Sequence, residues 1–152
     1  MSSYTQLHVH LITAVKYRRA LLLPPWRDEM LRYQTGHLQN KKQKVLAINA
    51  MPDHLHILIG KHPSTAESNL MRDLKSDTSE WINKRGFTEV PFHWQDGYAA
   101  FACTKNILPT VIAYIRNQEA HHRKMKFREE IIGMLTERDI PFDSQYLFHD
   151  PM

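Results

Sequence analysis

Hydrophobic and polar positions along the chain set out most of its elements. Between residues 4 and 15 they alternate, which predicts a strand with Leu7, Val9 and Leu11 on one face and His8 and His10 on the other. Pro24-Pro25 then marks a helix start, since proline is tolerated in the first turn. That helix runs from Trp26 to about Asn40, with Trp26, Met30, Tyr33 and Leu38 turned inward. Val45–Met51 and His54–Gly60 read as two short strands around Pro52-Asp53, a pattern that predicts a tight antiparallel hairpin. Ser64 or Thr65, with Ser68 a weaker choice, caps a helix that Gly86 closes after Arg85. Its inward positions are Leu70, Met71, Leu74, Trp81 and Ile82.

An aromatic-rich stretch, Phe92–Tyr98, leads into one more strand at Tyr98–Cys103. Asn106 caps a helix from Ile107 to about Met125, and a last helix spans Phe127–Arg138. Tyr146, Leu147 and Phe148 then pack back on the body. This order of elements predicts an α+β domain with a mainly antiparallel sheet and helices on one face. The histidine face of the central strand stays open unless a later helix crosses it.

Composition adds limits. At 152 residues the chain is expected to form a single domain over 1–152, and no repeat or linker divides it. No apolar run approaches the roughly 18–20 residues of a membrane span, and the start shows no basic-then-apolar leader, so a cytoplasmic location is expected. The one cysteine, Cys103, cannot close an internal disulfide and reads as a small core residue. Charge is uneven: residues 1–50 carry eight Lys/Arg against two acids, while the rest of the chain is close to balance. A basic first third suits a polyanion such as nucleic acid, and Lys16-Tyr17-Arg18-Arg19 has a good composition for phosphate contact. A solvated basic surface is the plainer alternative, and it is the preferred reading for Lys41-Lys42-Lys44.

The chemistry starts at His54-Leu55-His56. Residues two apart on a strand share a face, so both imidazoles look one way while Leu55, Ile57 and Ile59 enter a core. Two imidazoles roughly 6.5–7 Å apart along a strand can converge on one metal ion; alone, the pair is more often an exposed strand face. His8 and His10 form a competing pair, for which structural or DNA-contacting roles are preferred. In the helix that follows, Leu108, Val111, Ile112 and Ile115 make the apolar face, and Tyr114 and Gln118, four apart, share its margin. Asn117, His121 and His122 lie nearby and can contact either metal or phosphate. Two imidazoles and an amide oxygen can hold a divalent cation with open positions for phosphate oxygens. A tyrosine, poor as a nucleophile at its pKa of about 10, can then displace a 3′-oxygen and keep the 5′-phosphate covalently.

These residues resemble a known family. His10-Leu11 through Lys16-Tyr17-Arg18-Arg19, Met51–Ile59, Lys75-Ser76, Trp94-Gln95-Asp96-Gly97-Tyr98 and Tyr114–His122 are similar to segments of the IS200/IS605-type transposases, the single-tyrosine branch of the HUH nucleases, to which the REP-associated tyrosine transposases are close relatives. The resemblance implies a ferredoxin-like or RRM-like antiparallel sheet with the His-hydrophobic-His motif on a central strand. It implies His54, His56 and Gln118 as metal ligands, Mg²⁺ or Mn²⁺ as cofactor, and Tyr114 as the covalent nucleophile. It implies single-stranded DNA with hairpin or palindromic ends as substrate, a homodimer with joined sheets, and no membrane. Lys16, Arg18, Arg19, Lys75, Ser76, His121 and His122 are the DNA-contact candidates. Ala99 and Cys103-Thr104 depart from the family pattern, where Gly and Ser are frequent. The competing readings are a non-catalytic nucleic-acid-binding module and a host-adopted relative that processes palindromic repeats.

Overall fold

The computed structural model describes residues 3–123, 125–143 and 147. The elements run β1 (His8–Ala14), α1 (Pro24–Asn40), β2 (Lys44–Met51), β3 (His54–Gly60), α2 (Glu67–Arg85), β4 (Ala99–Cys103), α3 (Leu108–Arg116), α4 (Gln118–His122) and α5 (Phe127–Glu137). The four strands form one sheet in the order β2-β3-β1-β4, every pair antiparallel. That is the ferredoxin-like arrangement, with β3 and its two histidines in the interior of the sheet.

The hairpin forms where the alternation predicts it. Met51 pairs with His54, leaving Pro52 and Asp53 as the connection. From there β3 also pairs with β1, with His56 opposite Ile12 and His54 opposite Ala14. Both edges of β3 are thus taken up, so its side chains are held on either face by neighbours on both sides.

One face carries the main core. Val9, Leu11, Leu55, Ile57 and Ile59 meet Leu22, Trp26, Met30 and Leu38 from α1 and its approach, and Leu70, Met71, Leu74 and Ile82 from α2. Each fully buried aliphatic side chain there contributes about 1.5–3 kcal/mol. These two long helices make the helical layer. Phe92 and Trp94 of the irregular stretch are buried against the same core, and Trp94 bridges to Val15.

The short C-terminal helices cross the opposite, histidine-bearing face in two apolar clusters. Ile12, Ala14 and Phe101 pack with Phe127, Ile131, Leu135 and Leu147. Ala47, Leu58 and Cys103 pack with Ile115. The histidines lie between these clusters. Leu147 is the described part of the predicted C-terminal packing; Tyr146 and Phe148 lie outside the described residues.

Four local expectations change. The first strand begins at His8, not residue 4. No side chain caps α2, which starts after Ala66, so neither Ser64 nor Thr65 acts there; Ser64 bonds His62 Nδ1, and Thr65 accepts from Gln43 Nε2. Asn106 lies within a 3₁₀ turn ahead of α3, engaged with the Thr104 hydroxyl. The single helix expected over Ile107–Met125 is broken at Asn117 (φ −99°, ψ 24°), separating α3 from α4. At the other end of α2, Gly86 closes the helix in the left-handed region (φ 66°), as its position predicts.

Candidate active site

β3 delivers His54 and His56, both buried, to the face crossed by α3, α4 and α5. His54 Nδ1 donates to Asp53 Oδ1 at 2.7 Å. Arg18 Nη2 reaches Asp53 Oδ2 at 2.6 Å, and its Nε reaches the same oxygen at 3.1 Å. Burial opposes the Asp53 charge, but the hydrogen bond from His54 and the Arg18 guanidinium outweigh it and hold the carboxyl below its usual range. With Nδ1 protonated against Asp53, the lone pair of His54 Nε2 points into the protein. Burial pulls the His54 pKa down to about 4, so this imidazole is neutral. His56 is fixed in the same manner from the other side: its Nδ1 lies 2.9 Å from His10 Nε2. His10, too, is held neutral, at about 3, first by burial and then by His56.

α4 and α5 bring the remaining polar groups. Gln118 Nε2 donates to the Tyr114 carbonyl at 3.2 Å, which turns Oε1 inward, 3.5 Å from His54 Nε2 and 2.8 Å from His122 Nε2. Glu130 sits in the first turns of α5, buried. Its Oε1 is 3.1 Å from His56 Nε2, and its Oε2 is 2.8 Å from His122 Nε2 and 3.1 Å from His121 Nε2. Burial raises the Glu130 pKa, but the surrounding imidazoles pull it far below the ordinary carboxyl value.

Tyr114 lies on α3 with its ring edge-on to His56, centroids 5.8 Å apart, and against His121 at 4.9 Å. Its hydroxyl is buried, with no well-aligned hydrogen bond among the described residues. Burial, reinforced by the Glu130 charge, raises its pKa well above the usual phenol value.

The donor set fits a divalent cation. Ligand atoms of His54, His56, His122 and Glu130 lie within 4.8 Å of one another. His56 Nε2 and both Glu130 oxygens also lack well-aligned hydrogen bonds among the described residues, although they are buried. Buried polar groups whose hydrogen bonds are poorly aligned are costly, and a cation shared among them relieves that cost.

The other candidates separate by exposure. Lys16 and Arg19 are exposed, and both approach the Tyr17 ring, 5.5 and 5.9 Å from its centroid. Arg18, grouped with them by composition, is instead buried; positive φ at Tyr17 and Arg18 turns it toward Asp53 and the Phe127 ring. Lys75 donates to the Gln95 and Gly97 carbonyls at 2.7 and 2.9 Å, tying α2 to the turn before β4, while Ser76 is exposed. His8 is part-exposed and does not share the contact that His10 makes with His56. Asp53 and Glu130 were not among the residues expected here, whereas His10, expected in a structural or DNA-contacting role, lies against His56. Asp53 reads as a turn former, and Glu130 arrives from a helix twelve residues beyond Gln118 with no spacing to mark it.

The family model described as transposase, IS200-like, matches residues 3–118. The chain belongs to that family. Its members process DNA, and the ISDra2 transposase TnpA of Deinococcus radiodurans is 25% identical over 122 residues, spanning 74% of this chain and 84% of the relative. Two solved structures share the fold. A candidate transposase from Deinococcus radiodurans superposes with a TM-score of 0.64 at 22% identity, over 78% of this chain and 95% of its own. A REP-associated tyrosine transposase bound to a REP hairpin gives 0.62 at 15% identity, over the whole of both chains. No helix among the described residues of this family member is long and apolar enough to cross a membrane.

Proposed function

We propose that this transposase cuts and rejoins single-stranded DNA through a covalent bond to Tyr114, assisted by a divalent metal ion. The observation that carries this reading is the Tyr114 ring set edge-on to His56, beside the donors of His54, Gln118 and Glu130. His54, His56 and Gln118 would hold Mg²⁺ or Mn²⁺, which supplies Lewis-acid stabilisation to the phosphate and to the phenolate. Asp53 and His10 orient the two imidazoles, and Gln118 ties the site to the carbonyl of the nucleophile's own residue.

In the reaction the Tyr114 oxygen attacks phosphorus and the bond to the 3′-oxygen breaks. The 5′-phosphate stays on the tyrosine, and the phenol proton ends on the departing 3′-hydroxyl. A 3′-hydroxyl from another strand reverses the step and returns the proton to Tyr114. The apolar clusters on either side keep bulk water from competing.

The substrate is single-stranded DNA with hairpin or palindromic ends, a reading supported by the hairpin in the REP-associated relative. The exposed pair Lys16 and Arg19 would steer it, with Lys75, Ser76, His121 and His122 as further contacts. The protein acts in the cytoplasm, its whole chain forming one domain. Two copies pair by adding sheet to sheet along the outer edge of β4, which no described strand covers. The deciding experiment incubates end-labelled hairpin strands with protein and Mg²⁺ or Mn²⁺, then looks for an adduct that survives denaturing gels. Wild type forms it and Tyr114→Phe does not; normal cleavage by Tyr114→Phe refutes the assignment.

A further inference from the structure

The geometry points to a larger metal cage than two imidazoles and an amide: His122 and Glu130 complete it, and the resulting three-imidazole, one-carboxylate set takes a first-row transition ion such as Mn²⁺ or Zn²⁺ in preference to Mg²⁺. This inference rests on the metal-assisted reading above and specifies which side chains, and which ions, that reading involves.

The first support is where the lone pairs point. His54 Nε2 is bare because Nδ1 donates to Asp53, and Gln118 Oε1 faces inward because its amide nitrogen donates to Tyr114. Glu130 presents both oxygens to the same space. His122 Nε2 stands among them, 3.2 Å from His54 Nε2, 2.8 Å from Gln118 Oε1 and 2.8 Å from Glu130 Oε2. A proton on His122 Nε2 can satisfy one of these acceptors and leaves the others opposed. A shared cation satisfies all of them.

Spacing is the second support. Ligands bound to one small divalent ion at about 2.0–2.2 Å lie roughly 3–3.5 Å from each other. The separations of 3.1 Å between His56 and Glu130 and 3.2 Å between His54 and His122 are already of that size.

The third support is the donor chemistry. Mg²⁺ is a hard ion that keeps water and oxygen ligands, whereas imidazole suits Fe²⁺ and Zn²⁺, and affinity for a nitrogen-donor site rises from Mn²⁺ through Fe²⁺ to Co²⁺. Three imidazoles move the site toward the second group. Glu130 adds the one full negative charge that His54, His56 and Gln118 lack. Its side chain is 2% exposed, and the groups facing its oxygens are the imidazoles of His56, His121 and His122 and the Tyr114 hydroxyl.

The test is binding, read without DNA. Mn²⁺ is titrated into metal-free protein and free Mn²⁺ is followed by electron paramagnetic resonance; Co²⁺ is titrated in parallel and read by its visible absorption. Wild type should take up one ion per chain, and a large excess of Mg²⁺ should fail to displace it. Glu130→Gln and His122→Asn should each weaken binding about tenfold or more. Glu129→Gln, at the exposed neighbouring position, should not change it. Circular dichroism of each variant is recorded first, and if Glu130→Gln does not fold, His122→Asn decides alone. If both variants bind as tightly as wild type, or Mg²⁺ displaces Mn²⁺ on equal terms, the larger cage is wrong and the metal-assisted reading stands. If wild type binds no ion at all, both fall.

Discussion

Asp53 and His54, neighbours in sequence, share a 2.7 Å hydrogen bond in which the imidazole Nδ1–H donates to Oδ1. The backbone turn and the strand that follows aim the two side chains at each other, and Arg18 holds the far oxygen of the carboxylate. Carboxylate partners of this kind fix tautomer and ring orientation, and losing one typically costs 10–100-fold in metal affinity, roughly. Asp53→Asn should therefore weaken Mn²⁺ binding by about that factor. Unchanged affinity would show that strand packing alone orients His54.

Arg18 makes the same pair testable by stability. Asp53→Ala leaves a buried guanidinium without its carboxylate, a change worth about 3–5 kcal/mol. Urea unfolding should register a loss of that order. A Asp53→Ala protein as stable as wild type would mean that Arg18 escapes to solvent.

Tyr114→Phe should separate stability from chemistry. The hydroxyl is buried without a well-aligned hydrogen bond among the described residues, next to the Glu130 carboxylate. Removing it should leave the melting temperature at or slightly above that of wild type, with a change within about 1 kcal/mol. The covalent DNA adduct should disappear in the same protein. A marked loss of stability would point to a structural bond at that oxygen.

Metal-free protein should lose stability on the acid side. Burial lowers His54 to about 4 and His10 to about 3, and it lowers His56 as well, all from an ordinary 6.5. Below 6.5 the unfolded chain takes up protons that the folded one refuses, so this contribution is complete above 6.5 and drains away as pH falls toward 4. Glu130, held far below its ordinary value, adds to the loss at the acid end. Melts in EDTA at about pH 7.5 and about pH 5 check this, and equal melting temperatures would contradict it.

Tyr17 should act in DNA binding. Its ring is 48% exposed and has Lys16 and Arg19 close to it, a combination suited to stacking a base while neutralising phosphate. Tyr17→Ala should weaken single-strand binding by about 1–3 kcal/mol with little effect on salt dependence. Lys16→Ala or Arg19→Ala should instead flatten that dependence. Fluorescence anisotropy at several salt concentrations distinguishes the two patterns.

Much of the architecture could be read from period alone. His54 and His56 show why: alternation fixes their face, and Pro52-Asp53 fixes the hairpin, both through contacts local in sequence. Tyr114 and Gln118, four apart, also meet, although across the break at Asn117: the Gln118 amide still donates to the Tyr114 carbonyl. What period does not carry is long-range approach. Glu130 lies on a helix whose apolar positions, Phe127 and Ile131, fix its seat on the sheet; that this seat aims the carboxylate at His56 depends on how α5 crosses β3. The break at Asn117 was hidden for a related reason. The polar run after Ile115 continues helical spacing on paper, while packing against β2 bends the chain, with Asn49 Nδ2 donating to the Ile115 carbonyl at 2.9 Å. The placement of Arg18 was hidden because composition gives charge without direction: its backbone takes a positive φ and its side chain is buried against Asp53.

The cluster around His56 draws on β1, β3, α4 and α5, so its parts are scattered from the first strand to the last helix of the described chain. During synthesis the histidines leave the ribosome long before Glu130 does. A half-made polypeptide thus carries the imidazoles without the carboxylate that faces them, and the centre ripens only when α5 docks.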